Sequence, residues 1–297
     1  MIDRNERSEF EATAMRRAVI DFETRMLEPL LIAGRYALRL QSRLKQDEHV
    51  KDGDAWQSAL TDADIGVQQV FEAFVLAEFP TWNFFGEEHE STSNAGYFPT
   101  SADACVMLDP INGTRLYRDQ SIYFDVLVSL SWQGRIIATM SYHPARERLF
   151  GANIFGANYV RSGPRLATIS LLPPPSPVNN AIGTYQTGDA LRSEVSQVHP
   201  TFDFSLDYDP GDARCCLNSV FTGELSGYLM LDCAILDIGA TAFAVERAGG
   251  VASKPDGSSL EIFDRFDPES RHDLLVVRDR GLHARVASAI KKSGLWT

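Results

Sequence analysis

Asp109-Pro110-Ile111-Asn112-Gly113-Thr114 is the stretch whose reading decides the fold and the chemistry of this chain. It follows a short apolar run, Ala104 to Leu108, and sets a carboxylate, a ring-constrained turn, a glycine and a hydroxyl side by side. Such a segment is too polar for a core and richer in functional groups than a turn requires. It suits a metal ion and an anion together. Asp109 offers oxygen to a hard cation, Pro110 aims the Ile111 carbonyl inward, and Gly113 lets backbone amides approach an anion at the start of the next helix.

Outward from this segment the hydrophobic period changes. Ala104 to Leu108, Phe124 to Leu130, Ile136 to Tyr142 and Leu149 to Phe155 are short runs separated by turn signals such as Gln133-Gly134, which predicts neighbouring strands of one sheet. Upstream, Val67, Val70, Phe71, Phe74, Val75 and Phe79 recur at helical spacing from Ile65 until Pro80, and the first forty-odd residues predict one or two further amphipathic helices. Downstream, Leu171 to Pro177 is too rich in proline for helix or strand, so the join between two halves, 1–170 and 171–297, is placed there. Beyond it, Ile238 to Ala248 reads as a helix of small residues closed by Gly249-Gly250, Val276-Val277 as a late strand and Ala284 to Ile290 as a last helix.

Three other acidic segments stand at the ends of these elements: Thr61-Asp62-Ala63-Asp64 before a helix, Gly86-Glu87-Glu88 after it, and Asp237 before the small-residue helix. Each has an ordinary structural explanation when taken alone. Thr61 with Asp64 fits a capping box, Asp237 an N-cap, and Glu87-Glu88-His89-Glu90 a solvated acidic loop.

Composition narrows the function from another side. The chain has 297 residues and a net charge of −12, a balance that argues against nonspecific nucleic-acid binding. No apolar run approaches the roughly 20 residues of a membrane helix, and the N-terminus lacks the apolar core of a signal peptide, so no membrane partner and a cytoplasmic location are expected. Cys105, Cys215, Cys216 and Cys233 form no C-x-x-C pair and lack histidines at zinc spacing, which predicts free thiols.

In order and spacing the four acidic segments resemble the inositol monophosphatase family, magnesium-dependent and lithium-sensitive phosphatases. Their pattern is T-x-A-D, G-E-E, D-P-[IL]-D-G-T and W-D-x-A before a helix ending E-A-G-G. The corresponding stretches here are Thr61 to Asp64, Gly86 to Glu88, Asp109 to Thr114, and Leu236-Asp237-Ile238-Gly239 with Glu246 to Gly250. His143-Pro144 stands where the family often has Asn-Pro. The resemblance implies an α/β chain of the α+β type, a layered αβαβα sandwich of the sugar phosphatase kind, which is usually a homodimer. It also implies Mg2+, with Mn2+ as the other candidate, and hydrolysis of a small phosphate monoester by direct attack of a metal-activated water.

Carried over residue by residue, Glu87, Asp109 and the Ile111 carbonyl would hold a first cation with Glu88 close by, and Asp109 and Asp237 a second. Asp64, Glu87 and Thr114 become the catalytic residues, and Gly113 and Thr114 would hold the phosphate through their amides. Two positions depart from the pattern. Asn112 replaces an aspartate that helps to hold the second metal and would contact both metal and substrate here, and Met230 stands where relatives place a glutamate for the inositol ring. A thioether cannot accept hydroxyl hydrogen bonds as a carboxylate does, which speaks against myo-inositol phosphate as substrate. The loss of charge at Asn112 leaves a second role open, that of a catalytically impaired phosphate-binding, metal-binding or scaffold protein. Asn112→Asp is expected to raise activity if the site is otherwise complete. Arg115, Arg118 and Arg214 are either grips for a second phosphate or ordinary surface arginines.

Overall fold

The computed structural model describes residues 4–44, 53–88, 91–156, 158–163, 167–169, 180–260, 267 and 270–296. In chain order the elements are α1 (Arg4–Arg25), α2 (Leu27–Leu44), α3 (Gly53–Glu78), β1 (Asn83–Gly86), β2 (Ala104–Asn112), α4 (Thr114–Arg118), β3 (Asp125–Trp132), β4 (Arg135–His143), β5 (Arg148–Asn153), β6 (Asn158–Ser162) and β7 (Ala167–Ile169). They continue as β8 (Ala181–Tyr185), α5 (Gly188–Val198), β9 (Thr201–Asp203), α6 (Ser219–Thr222), β10 (Leu225–Ala234), α7 (Ile235–Arg247), β11 (Val251–Ser253), β12 (Arg271–Val277) and α8 (Arg280–Ser293).

The first seven strands form one sheet in chain order, and the last five a second sheet ordered β11-β12-β10-β8-β9. Strand alternation divides the core between layers. Val106 and Leu108 of β2 pack with the first three helices, whereas Met107 between them packs with α7. In β12, Leu274 and Val276 face the same middle layer, and Leu275 and Val277 face α5 and α8. The order is therefore helices, sheet, α6 and α7, sheet, helices, as the αβαβα expectation has it. The small residues of α7 let it lie between two sheets, and Gly239, Ala240, Ala242 and Ala244 are all buried.

Three expectations are corrected. α3 begins at Gly53, so Thr61 to Asp64 lies within the helix and no capping box forms. Asp109 to Asn112 is the end of β2 itself, where the register with β3 shifts between Asp109 and Asn112. Asp237 is in the first turn of α7, whose N-cap is Ala234. Phe124 to Leu130 is buried within the chain. The proline-rich join, Leu171 to Pro177, lies outside the described residues, as do His89 and Glu90. Gln133-Gly134 does form the tight turn between β3 and β4, both residues having positive φ. Among the described residues no helix is long and apolar enough to cross a membrane, and the four cysteines are free.

Candidate active site

The helix α3 carries two adjoining stripes at four-residue spacing. Ala63, Val67, Phe71 and Val75 are the apolar one, fully buried against the sheet. Beside it run Asp64, Gln68 and Glu72, also buried but polar. Gln68 Nε2 donates to Glu72 Oε1 at 2.9 Å, and Gln68 Oε1 accepts from the Glu88 backbone N–H at 3.0 Å. Glu72 further accepts from Thr92 (2.6 Å) and Asn94 (2.9 Å). The stripe thereby anchors the loop that carries Glu87 and Glu88. It also explains the glycine before them: a Cβ on Gly86 would run into Gln68 Oε1. Sequence reading passed over Gln68 and Glu72, although two polar residues at i+4 and i+8 from Asp64 in an apolar helix were a signal.

Parallel pairing of β1 with β2 sets Gly86 beside Leu108, and the Glu87 N–H donates to the Leu108 carbonyl at 3.1 Å. Glu87 thus comes next to Asp109, with which its side chain shares a hydrogen bond. At the end of β2 the chain reverses through Gly113, whose φ of 82° is the left-handed conformation that favours glycine, and α4 starts at Thr114. Thr114 Oγ1 donates to the Ile111 carbonyl at 3.4 Å. From the other sheet, the first turn of α7 contributes Asp237.

Glu87, Asp109, Ile111, Asn112, Gly113, Thr114, Met230 and Asp237 line one cavity of about 410 Å³. Asp64 and Glu88 stand outside its lining but close enough for their charges to act on the cluster. Tyr185, Phe204, Ser205, Leu217 and Cys215 complete the walls; these the sequence did not single out. A cavity of about 470 Å³ elsewhere is lined by Asn180, Phe221, Arg278 and Arg285, away from the carboxylates.

The electrostatics follow from crowding like charges. Burial, together with Glu87 and Glu88, pushes Asp64 up to about 8. Burial, then Glu87, Asp237, Asp125 and Asp64 around it, holds Asp109 well above the usual carboxylate range. Burial of its carboxyl and the charges of Asp237 and Glu88 raise Glu87 to about 7; the residue is open to solvent, so the neighbouring charges are the firmer cause. Burial raises Asp237 to about 6, with Arg271 acting in the other direction. Among the described residues none of the four has an ion pair, and Asp64 Oδ1 and Asp109 Oδ1 are buried without a hydrogen-bond partner. All-oxygen donors, too close for comfort and partly unpartnered, fit a hard divalent cation.

The three arginines separate. Arg118 pairs with Asp119 and Arg214 with Asp212, and neither lines the cavity. Arg115 lies at the cavity and stacks its guanidinium over the Tyr208 ring, 3.5 Å from its centroid.

Behind Asn112, sequence reading missed a buried network. Asp125, His143 and Cys216 meet there with Ser141 and Asn218. His143 Nδ1 donates to the Phe124 carbonyl (3.1 Å), which leaves Nε2 as acceptor for Asn218 (3.0 Å), in keeping with burial pushing this histidine down to about 3. Burial raises Asp125 to about 7 against the pull of three hydrogen-bond donors. A lone aspartate in the apolar run Phe124 to Leu130 was the signal.

Comparison with known proteins bears on the family and the fold. The sequence model of the inositol monophosphatase family matches residues 28–295. An inositol-1-monophosphatase of Rhizobium meliloti (strain 1021) is 23% identical over 200 residues, 67% of this chain and 73% of the relative. A Nus factor SuhB of Pseudomonas aeruginosa is 24% identical over 220 residues, 70% of this chain and 76% of the relative. The solved structure of inositol monophosphatase-II from Staphylococcus aureus MSSA476 aligns with a TM-score of 0.63 at 18% identity, over 91% of this chain and 92% of that one, a likeness of fold. With its family match extending over most of its length, the chain belongs to the inositol monophosphatase family.

Proposed function

We propose that the chain hydrolyses a small phosphate monoester with bound Mg2+ or Mn2+ and without a covalent enzyme intermediate. The observation that carries this reading is the convergence of Glu87, Asp109 and Asp237 beside Gly113 and Thr114, with Asp64 near enough for its charge to act on Asp109 and buried oxygens of Asp64 and Asp109 left unpartnered. Glu87, Glu88, Asp109 and the Ile111 carbonyl would hold one cation, and Asp109, Asp237 and Asn112 the other. When bound, divalent cations supply the positive charge that phosphoryl transfer requires on both sides of the phosphorus. Around them, Asp64 and Thr114 would orient the attacking water, Glu87 would hold the Asp109 carboxyl in place through their shared hydrogen bond, and the N–H groups of Gly113 and Thr114 would donate to phosphoryl oxygens.

The alcohol side of the cavity has Tyr185, Phe204, Leu217 and Met230 in its walls. That surface suits a sugar phosphate or biosynthetic intermediate less hydroxylated than myo-inositol phosphate. The division into halves 1–170 and 171–297, with the second contributing Asp237, and a homodimeric assembly belong to the same proposal. A second reading, an impaired family member that binds or scaffolds, is favoured by Asn112 and by similarity to a protein named as a Nus factor.

Phosphate release from a panel of sugar, inositol, nucleotide and amino-acid phosphates over a range of Mg2+ and Mn2+ tests the reading. Release that needs metal and is lost in Asp109→Ala supports it. Silence across the panel, with metal binding retained in calorimetry, favours the scaffold role.

A further inference from the structure

One charged side chain opens the buried strand β3. Asp125 is 1% exposed and sits opposite Asn112 in the β2–β3 ladder. Asn112 Nδ2 donates to Asp125 Oδ1 at 3.0 Å. Ser141 Oγ (2.5 Å) and Asn218 Nδ2 (3.1 Å) both donate to Asp125 Oδ2. Three donors converging on one carboxyl group suit the ionised form, which only accepts. Yet no Lys or Arg pairs with Asp125 among the described residues, and a buried anion without a countercharge is costly. Two features thus coincide across a single hydrogen bond: a neutral amide where the family pattern has a carboxylate, and a carboxylate at the head of a buried strand that has no other charge.

We propose that Asp125 is a positioning residue that supplies, from behind, the negative charge the family pattern carries at position 112. Asn112 is the relay between them. Its Nδ2 is held by Asp125, which leaves Oδ1 for the cavity as a neutral ligand oxygen toward the second divalent cation. This rests on the reading that cations bind in this cavity. It also reverses the expectation for Asn112→Asp. The single reversion sets one carboxylate against another at hydrogen-bond distance, with no proton donor left between them. The exchange Asn112→Asp with Asp125→Asn keeps the charge count and turns the hydrogen bond round, because the amide placed on β3 would donate to the new carboxylate on β2.

The test uses the full chain as wild type, both single variants and the exchange. Mg2+ alone is titrated by calorimetry, and melting is followed in EDTA. Asp125→Asn is expected to weaken Mg2+ binding about 10- to 100-fold, as loss of the partner behind a ligand does. Asn112→Asp is expected to melt lower without metal and to gain no Mg2+ affinity. The exchange should return to within about threefold of wild type, a strong non-additivity. If Asp125→Asn fails to fold by circular dichroism, Asn112→Ala, which breaks the relay and leaves Asp125 in place, should lose Mg2+ affinity instead. Tighter Mg2+ binding by Asn112→Asp at unchanged melting, or an additive exchange, would overturn the proposal. Should no variant release phosphate from any monoester while the binding cycle holds, the charge relay stands and the phosphatase reading falls. Phosphate release with an additive cycle means the reverse.

Discussion

Replacing Asp64 by Asn isolates the cost of the crowded carboxylates in the metal-free protein. Asp64 is buried, and its pKa is raised from 3.8 to about 8. The sign follows from which state holds the proton. Between these values the folded chain keeps a proton that the unfolded chain has released, so stability is fully present below about pH 4 and declines as pH rises toward 8. The decline is about 1.4 kcal/mol per pH unit for one proton. Integrated from about pH 6 to 8 it comes to roughly 2 kcal/mol, because the native carboxyl itself begins to ionise at the upper end. For a chain of 297 residues that corresponds to about 3 °C in melting temperature. Asp64→Asn lacks the titration, whereas the buried histidines and thiols titrate alike in both proteins. Melting in EDTA across this range should therefore show wild type losing ground to Asp64→Asn by that amount. Saturating Mg2+ should flatten the wild-type dependence, since a nearby cation favours the ionised carboxylates. Parallel melting curves for the two proteins in EDTA would refute the reasoning and mean that water or a cation relieves Asp64 throughout.

Asp109→Asn should melt higher than wild type in EDTA, because it removes a buried like charge, and it should lose the stabilisation that Mg2+ gives wild type, about 2.7 kcal/mol at one hundred times Kd. Gly86→Ala drives a methyl group into Gln68 and loosens the loop bearing Glu87 and Glu88; calorimetry and melting should record weaker Mg2+ binding and a loss of about 1–3 kcal/mol, part of it recovered by adding Gln68→Ala. Met230→Glu should raise kcat/KM for inositol phosphate relative to less hydroxylated monoesters by about tenfold, the worth of one good hydrogen bond; an unchanged ratio across the panel would remove Met230 from the account of specificity.

Sequence alone determined the parts of this protein that depend on local pattern. Short apolar runs between turn signals and three-to-four spacing located the strands around the Asp109 segment and the helices before them, and the four acidic motifs carried the family. The roles given to Asp109, Glu87 and Asp237 come from the order and spacing of the four motifs taken together, since each carboxylate alone has an ordinary structural explanation. Element limits were less legible: α3 runs through Thr61 to Asp64 since burial of Ala63 and Asp64 outweighs the local capping signal.

Only the tertiary structure decided how these residues meet. Strand register set Glu87 beside Asp109, and the packing of α7 between two sheets brought Asp237 to them from the far part of the chain. The same non-local pairing set Asp125 behind Asn112 and Gln68 under Gly86. A hydrogen bond between residues of different strands or elements leaves no periodic trace in the chain, so the partners that tune the charge at this site become visible only once the fold has closed around them.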